Sequence, residues 1–131
     1  TFTNIDRLNM PDCGMSGTLD ISAGTAAASL ITIDLENNDL AGLTVDTDTT
    51  YGVLKYINLA NNCFDYDALY EIFYSGGTDE GFTTSPLTAG VTNGVLDISY
   101  NPGTEQFVKS TVWTIVKARF TGRSWTVHEN Y

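Results

Sequence analysis

Catalysis needs a nucleophile, a base or a bound metal, and this chain carries few side chains suited to those roles. His128 is its single imidazole. No Ser or Cys is evidently placed for that ring to activate, so His128 reads as a surface side chain where a strand meets solvent. Asp46-Thr-Asp-Thr-Thr50 sets two carboxylates two positions apart ahead of a threonine. On a short loop these residues make an acidic turn closed by Asx-type hydrogen bonds, which is the arrangement we expect. Asp34, Asn58 and Asp97 hold further oxygens, but Ca²⁺ takes six or more ligands and a flat row of strand residues offers fewer. We therefore assign no catalytic residue, no metal and no cofactor.

Composition narrows the remaining classes. The 131 residues are 42% apolar and 17% charged, enough for one domain with a core. Sixteen acids against six bases leave a formal charge of −10, which argues against a nucleic-acid partner, because phosphate contacts are made mainly by Lys and Arg. Uninterrupted apolar stretches are only a few residues long, so neither a membrane span nor a signal-peptide core is visible, and no membrane insertion is expected. The opening Thr1 leads us to expect a trimmed, processed or partial chain. Charge is also uneven. Residues 1–105 hold fifteen acids and two bases for a net −13, and residues 106–131 hold four bases and one acid for +3.

The elements that would position any site emerge from a repeat. Leu30-Ile-Thr-Ile33-Asp-Leu35-Glu-Asn-Asn38-Asp-Leu40 has the spacing L-x-x-L-x-L-x-x-N-x-L, and Leu54-Lys-Tyr-Ile57-Asn-Leu59-Ala-Asn-Asn62-Cys-Phe64 has it again. Ile5, Leu8, Met10 and Cys13 occupy the same slots upstream, with Cys in the Asn position. Leu96, Ile98 and Asn101 follow downstream, then Trp125, Val127 and Asn130. The Asn-slot positions are thus 13, 38, 62, 101 and 130.

On these residues the chain resembles the leucine-rich-repeat family over nearly its whole length. The resemblance implies an α/β solenoid, one domain over 1–131, of about five parallel strands with mixed extended and helical return segments. Ile33/Leu35 and Ile57/Leu59 point to one side of a strand, and stacked neighbours bury a face that no single repeat can bury alone. Asn38, Asn62, Asn101 and Asn130 would form a buried ladder serving backbone groups where each strand turns away. Cys13 would point inward at the first rung. Two rungs, about 10 Å, separate it from Cys63, so we expect two free thiols.

Return segments come next. Residues 18–22 and 42–46 alternate at period two and read as extended pieces. Asp65 to Tyr74 reads as a helix with Asp65 at its N-cap and Gly76 as its stop. Thr104 to Phe120 reads as one helix capped by Thr104 and ended by Gly122, with Val108, Val112, Ile115 and Val116 on one face. Residues 75–92 are a turn-rich insertion read as an exposed loop.

These elements would leave one regular surface, the outward face of the strands. Its central column reads Asn9, Asp34, Asn58, Asp97, Thr126. Two residues earlier come Arg7, Thr32, Tyr56, Val95 and Ser124, and two later Pro11, Glu36, Ala60, Ser99 and His128. We take Arg7, Asn9, Thr32, Asp34, Glu36, Tyr56, Asn58 and Asp97 as the candidate binding residues. The expected function is a non-enzymatic module for protein–protein interaction or assembly. Its short Ser/Thr/Asn/Gly-rich repeats are similar to those of bacterial surface proteins and phage particles, which favours a subunit of a virion or extracellular appendage. The alternative is an adhesin-type module binding a glycan or host surface through the same face. A remote alternative is a small acidic-site hydrolase, since Asp46 to Thr50 resembles the D-x-D-x-T nucleophile motif of haloacid-dehalogenase-type phosphatases; that motif needs a larger parallel sheet to aim it. The expected partner is another protein or copies of the chain itself, joined head-to-tail through the terminal strands.

Overall fold

The computed structural model describes residues 5–22, 29–45, 51–74 and 91–131. In chain order the elements are β1 (Arg7–Asn9), β2 (Ser16–Asp20), β3 (Thr32–Asp34), β4 (Asp39–Thr44), β5 (Tyr56–Asn58), α1 (Tyr66–Tyr74), β6 (Val95–Asp97), α2 (Thr104–Val108), α3 (Thr111–Thr121) and β7 (Thr126–His128). The protein is α/β. Its main sheet has five parallel strands in the order β1-β3-β5-β6-β7, and β2 pairs with β4 in a second, two-stranded parallel sheet. Parallel neighbours require a crossover between them, and here β2, β4, α1 and the α2–α3 pair supply it in turn. Leu8, Ile33, Ile57, Leu96 and Val127 share one row across the main sheet. The three inner members are fully buried and the two outer ones half-buried.

Where each strand ends, the backbone makes the same turn. Asp12, Asn37, Asn61 and Tyr100 all adopt left-handed φ angles of 52–58° one residue before the positions 13, 38, 62 and 101. Asp and Asn tolerate that conformation. Their amide N–H groups each donate to the carbonyl of the next rung, at Glu36, Ala60, Ser99 and Asn130. Asn38, Asn62 and Asn101 are buried and repeat one bonding pattern. Asn62 Nδ2 donates to Leu59 O and Ala60 O in its own turn and to Leu35 O one rung back, while its Oδ1 accepts from Leu40 N. Asn101 Nδ2 donates to Ile98 O, Ser99 O and Leu59 O, and its Oδ1 accepts from Asn62 N and Phe64 N. Asn38 does the same for Leu35, Glu36 and Met10, and for Cys13 N and Met15 N.

The ends of this ladder differ from expectation. Cys13 is exposed instead of inward-facing, and its thiol reaches only Pro11 O. Among the described residues no strand lies on the outer side of β1, so that slot stays open to solvent. Cys13 and Cys63 are both unpaired. Asn130 is exposed and is not a ladder residue. β6 pairs with β7 so that Val95, Leu96 and Asp97 meet Thr126, Val127 and His128, two residues out of step with the spacing that placed Asn130 beside Asn101. Asn130 stands beside Ser99 and donates its N–H to Ser99 Oγ. The cause is Trp125. Its indole lies against Gly94, where an added Cβ would come within 2.5 Å of the ring, and its Nε1 donates to Val91 O. Gly94, with no side chain of its own, leaves room for the ring, and that packing outweighs the match of Asn130 to the repeat.

The helical side also departs from a single 104–120 helix. Ser110 is extended (φ −80°, ψ 155°), its Oγ accepts from Trp113 N, and it starts α3 anew. Serine competes with the backbone for hydrogen bonds and so favours a cap over a helix interior. Thr104 turns inward instead of capping: its Oγ1 accepts from Asn101 N and donates to Ile98 O, closing the ladder where a further Asn would sit. Gly122 is right-handed, and the left-handed residue after α3 is Ser124. Ile115 is exposed, because the buried face is Trp113, Val116 and Phe120. With Phe73, Phe107 and Trp125 these rings form a cluster at centroid spacings of 5.0–6.3 Å, filling the wider gap that helices leave beneath the sheet. Asp65 caps α1 as expected, accepting from Ala68 N at 2.8 Å. Gly76, the segment 46–50 and residues 75–90 of the insertion lie outside the described residues.

Candidate functional site

The outward face of the main sheet is set by strand alternation: with Ile33 and Ile57 turned inward, the residues on either side face out. The register gives two columns, Arg7-Thr32-Tyr56-Val95-Thr126 and Asn9-Asp34-Asn58-Asp97-His128. His128 therefore stands beside Asp97 where Thr126 was expected, and Asn130 replaces His128 in the next column. Sequence spacing missed this pairing; the signal for it is the small residue, Gly94, opposite Trp125.

The three inner members of the second column also serve the backbone. Asp34 Oδ1 accepts from Glu36 N, Asn58 Oδ1 from Ala60 N, and Asp97 Oδ1 from Ser99 N at 2.9 Å. This recurring Asx turn explains why the column holds Asp and Asn. Asn9 cannot repeat it, because Pro11 has no N–H. One carboxylate oxygen of Asp34 and of Asp97 is left outside these turns.

The middle of the face gathers most of the candidate residues. Asn58 is buried, and its amide donates to Glu36 Oε2 at 3.2 Å and to the Tyr56 hydroxyl at 3.4 Å. Thr32, Asp34, Glu36, Tyr56 and Asp97 are half-buried around it. Burial raises the Tyr56 phenol above its ordinary pKa, and the Asp34, Glu36 and Asp97 carboxylates add to the rise, while the Asn58 amide opposes it. Arg7 and Asn9 are exposed at the β1 edge, in register with Thr32 and Asp34. Among the described residues no three His, Cys, Asp or Glu side chains gather to hold a metal. No described helix is long and apolar enough to cross a membrane. The face can therefore offer carboxylate acceptors beside an aromatic ring, which suits a cationic group. Comparison with protein-family models, curated proteins and solved structures gives no match.

Proposed function

We propose that the chain is a leucine-rich-repeat solenoid acting as a non-enzymatic interaction module, with the outward strand face as its contact surface. The reading is carried by one observation: the register sets Asp34 and Asp97 on either side of Asn58, whose amide joins Glu36 Oε2 to the Tyr56 hydroxyl, so three carboxylates and one aromatic ring share a single patch. A partner protein that inserts Lys or Arg there gains carboxylate contacts and an aromatic face together. The recurring L-x-x-L-x-L-x-x-N spacing and the buried amides of Asn38, Asn62 and Asn101 support the repeat assignment. By the same resemblance we place the module in a virion or extracellular appendage. Site-directed photo-crosslinking tests the surface. A benzophenone side chain at position 56 should yield one discrete adduct in the source cells, lost on Asp34→Asn with Asp97→Asn, and a label at Thr114 should not. No adduct from position 56, or an equal one from position 114, would sink the proposal.

A second reading, assembly of copies, is favoured by the sheet topology. β1 and β7 are opposite edges of one parallel sheet, so the step that relates neighbouring strands also carries β7 of one copy onto β1 of the next. The acidic body and the basic 106–131 end favour that head-to-tail contact. Light scattering that stays monomeric as concentration rises, at both low and moderate salt, would exclude it.

A further inference from the structure

The row of left-handed turn residues contains one that does not belong there. Asp12, Asn37 and Asn61 are short polar residues suited to positive φ, but the next member is Tyr100, at φ 58°. A bulky side chain in that region is strained, and strain that persists points to a function for the side chain. The ring does not stabilise the core: Tyr100 is 58% exposed. Among the described residues its side chain has no hydrogen bond or ring contact. The β6–β7 register sets Tyr131 next in the same row, 65% exposed, with Lys109 Nζ 5.4 Å from its ring centroid. Lys109 is itself paired with Glu105, so this end of the row carries little net charge. Asn37 and Asn61 continue the row on the other side, both exposed.

We propose that the row Asn37-Asn61-Tyr100-Tyr131 binds a neutral oligosaccharide. Pyranose rings present an apolar C–H face and a rim of hydroxyls. Tyr100 and Tyr131 stand on adjacent rungs, whose backbones lie about 4.8 Å apart, and their exposed phenols offer flat apolar surface to the first, while two side-chain amides offer donors and acceptors to the second. Three rung spacings, about 14 Å, suit a short chain of sugars over a single one. Lys109, the cation over the Tyr131 ring, is already paired with Glu105, so an acidic glycan gains little there and the sugar is uncharged. This site lies at the strand ends, apart from Tyr56, and stands or falls independently of the protein-binding face.

The test is saturation-transfer NMR with cellohexaose, chitohexaose, maltohexaose and mannohexaose as separate probes, and hexaproline as the peptide comparator. Transfer is expected to at least one sugar. It should vanish in Tyr100→Asn and weaken in Tyr131→Asn, while Tyr100→Asn melts at the same temperature as the parent or higher, because Asn relieves the strain. No transfer to any sugar overturns the proposal, as does transfer to hexaproline alone or transfer indifferent to both substitutions. A clear fall in melting temperature for Tyr100→Asn would also overturn it, by making the ring structural.

Discussion

Asn62 and Asn130 have the same side chain and opposite fates, and the difference can be measured. The Asn62 amide serves three carbonyls and one N–H inside the protein, whereas Asn130 is exposed with a single long side-chain contact to Ser99. Asn62→Ala leaves those buried groups unpaired and should cost about 1–3 kcal/mol in urea unfolding. Asn130→Ala should cost less than about 0.5 kcal/mol. Equal costs would mean that ladder membership carries no stability. Tyr56 gives a second residue-scale expectation. Its phenol titrates above the ordinary value of 10.0 because burial and three carboxylates oppose the phenolate. The folded state holds that proton longer than the unfolded chain does, so the contribution is intact below about pH 10 and is lost as pH rises through the folded pKa. In an alkaline absorbance titration, the difference between wild type and Tyr56→Phe should be a single phenolate step with a midpoint above 10. A midpoint at or below 10 would place the ring in open solvent.

At the scale of elements, two positions decide how the helical end meets the sheet. A Cβ on Gly103 would lie 2.1 Å from the Asp65 carbonyl carbon, where Gly103 N donates to Phe64 O. Backbone cannot yield as a flexible side chain does, so Gly103→Ala should cost at least the upper end of the about 1–3 kcal/mol range for overpacking, read as a lowered unfolding midpoint. Ser110→Ala removes the α3 cap and should cost about 1 kcal/mol, with the loss of helix visible in far-UV circular dichroism. These positions also show what could be read in advance. The strands around Ile33 and Ile57 were legible because alternation and the 24-residue spacing agree. The break at Ser110 was not, because Val108, Val112 and Val116 continue a helical period across it. The β7 register was missed because Asn130 fits a motif, while the deciding packing of Trp125 on Gly94 joins residues 31 positions apart. The acidic strand face was legible as columns, but the burial of Asn58 was not, since it depends on Glu36 and Tyr56 closing over it.

For the whole molecule, a charge of −10 spread over 131 residues sets the response to salt. Ion pairs such as Lys109–Glu105 and Lys117–Glu129 offset part of it, but sixteen acids face six bases, so repulsion among carboxylates outweighs attraction. Screening at about 0.15 M, where the Debye length is about 8 Å, should raise the melting temperature above its low-salt value in calorimetry. A fall would mean that attractive pairs dominate. The ladder of amides has a mechanical counterpart. Each Asn clasps the turn one rung back, so a rung is released only after the clasp reaching over it opens. At one end Thr104 seals the series, and at the other Cys13 has no amide with which to hold anything before it. The protein is thus a zipper with a stop at one end only. Pulled or warmed, it should open from β1 toward β6 and close in the reverse order, giving a symmetric-looking stack a direction.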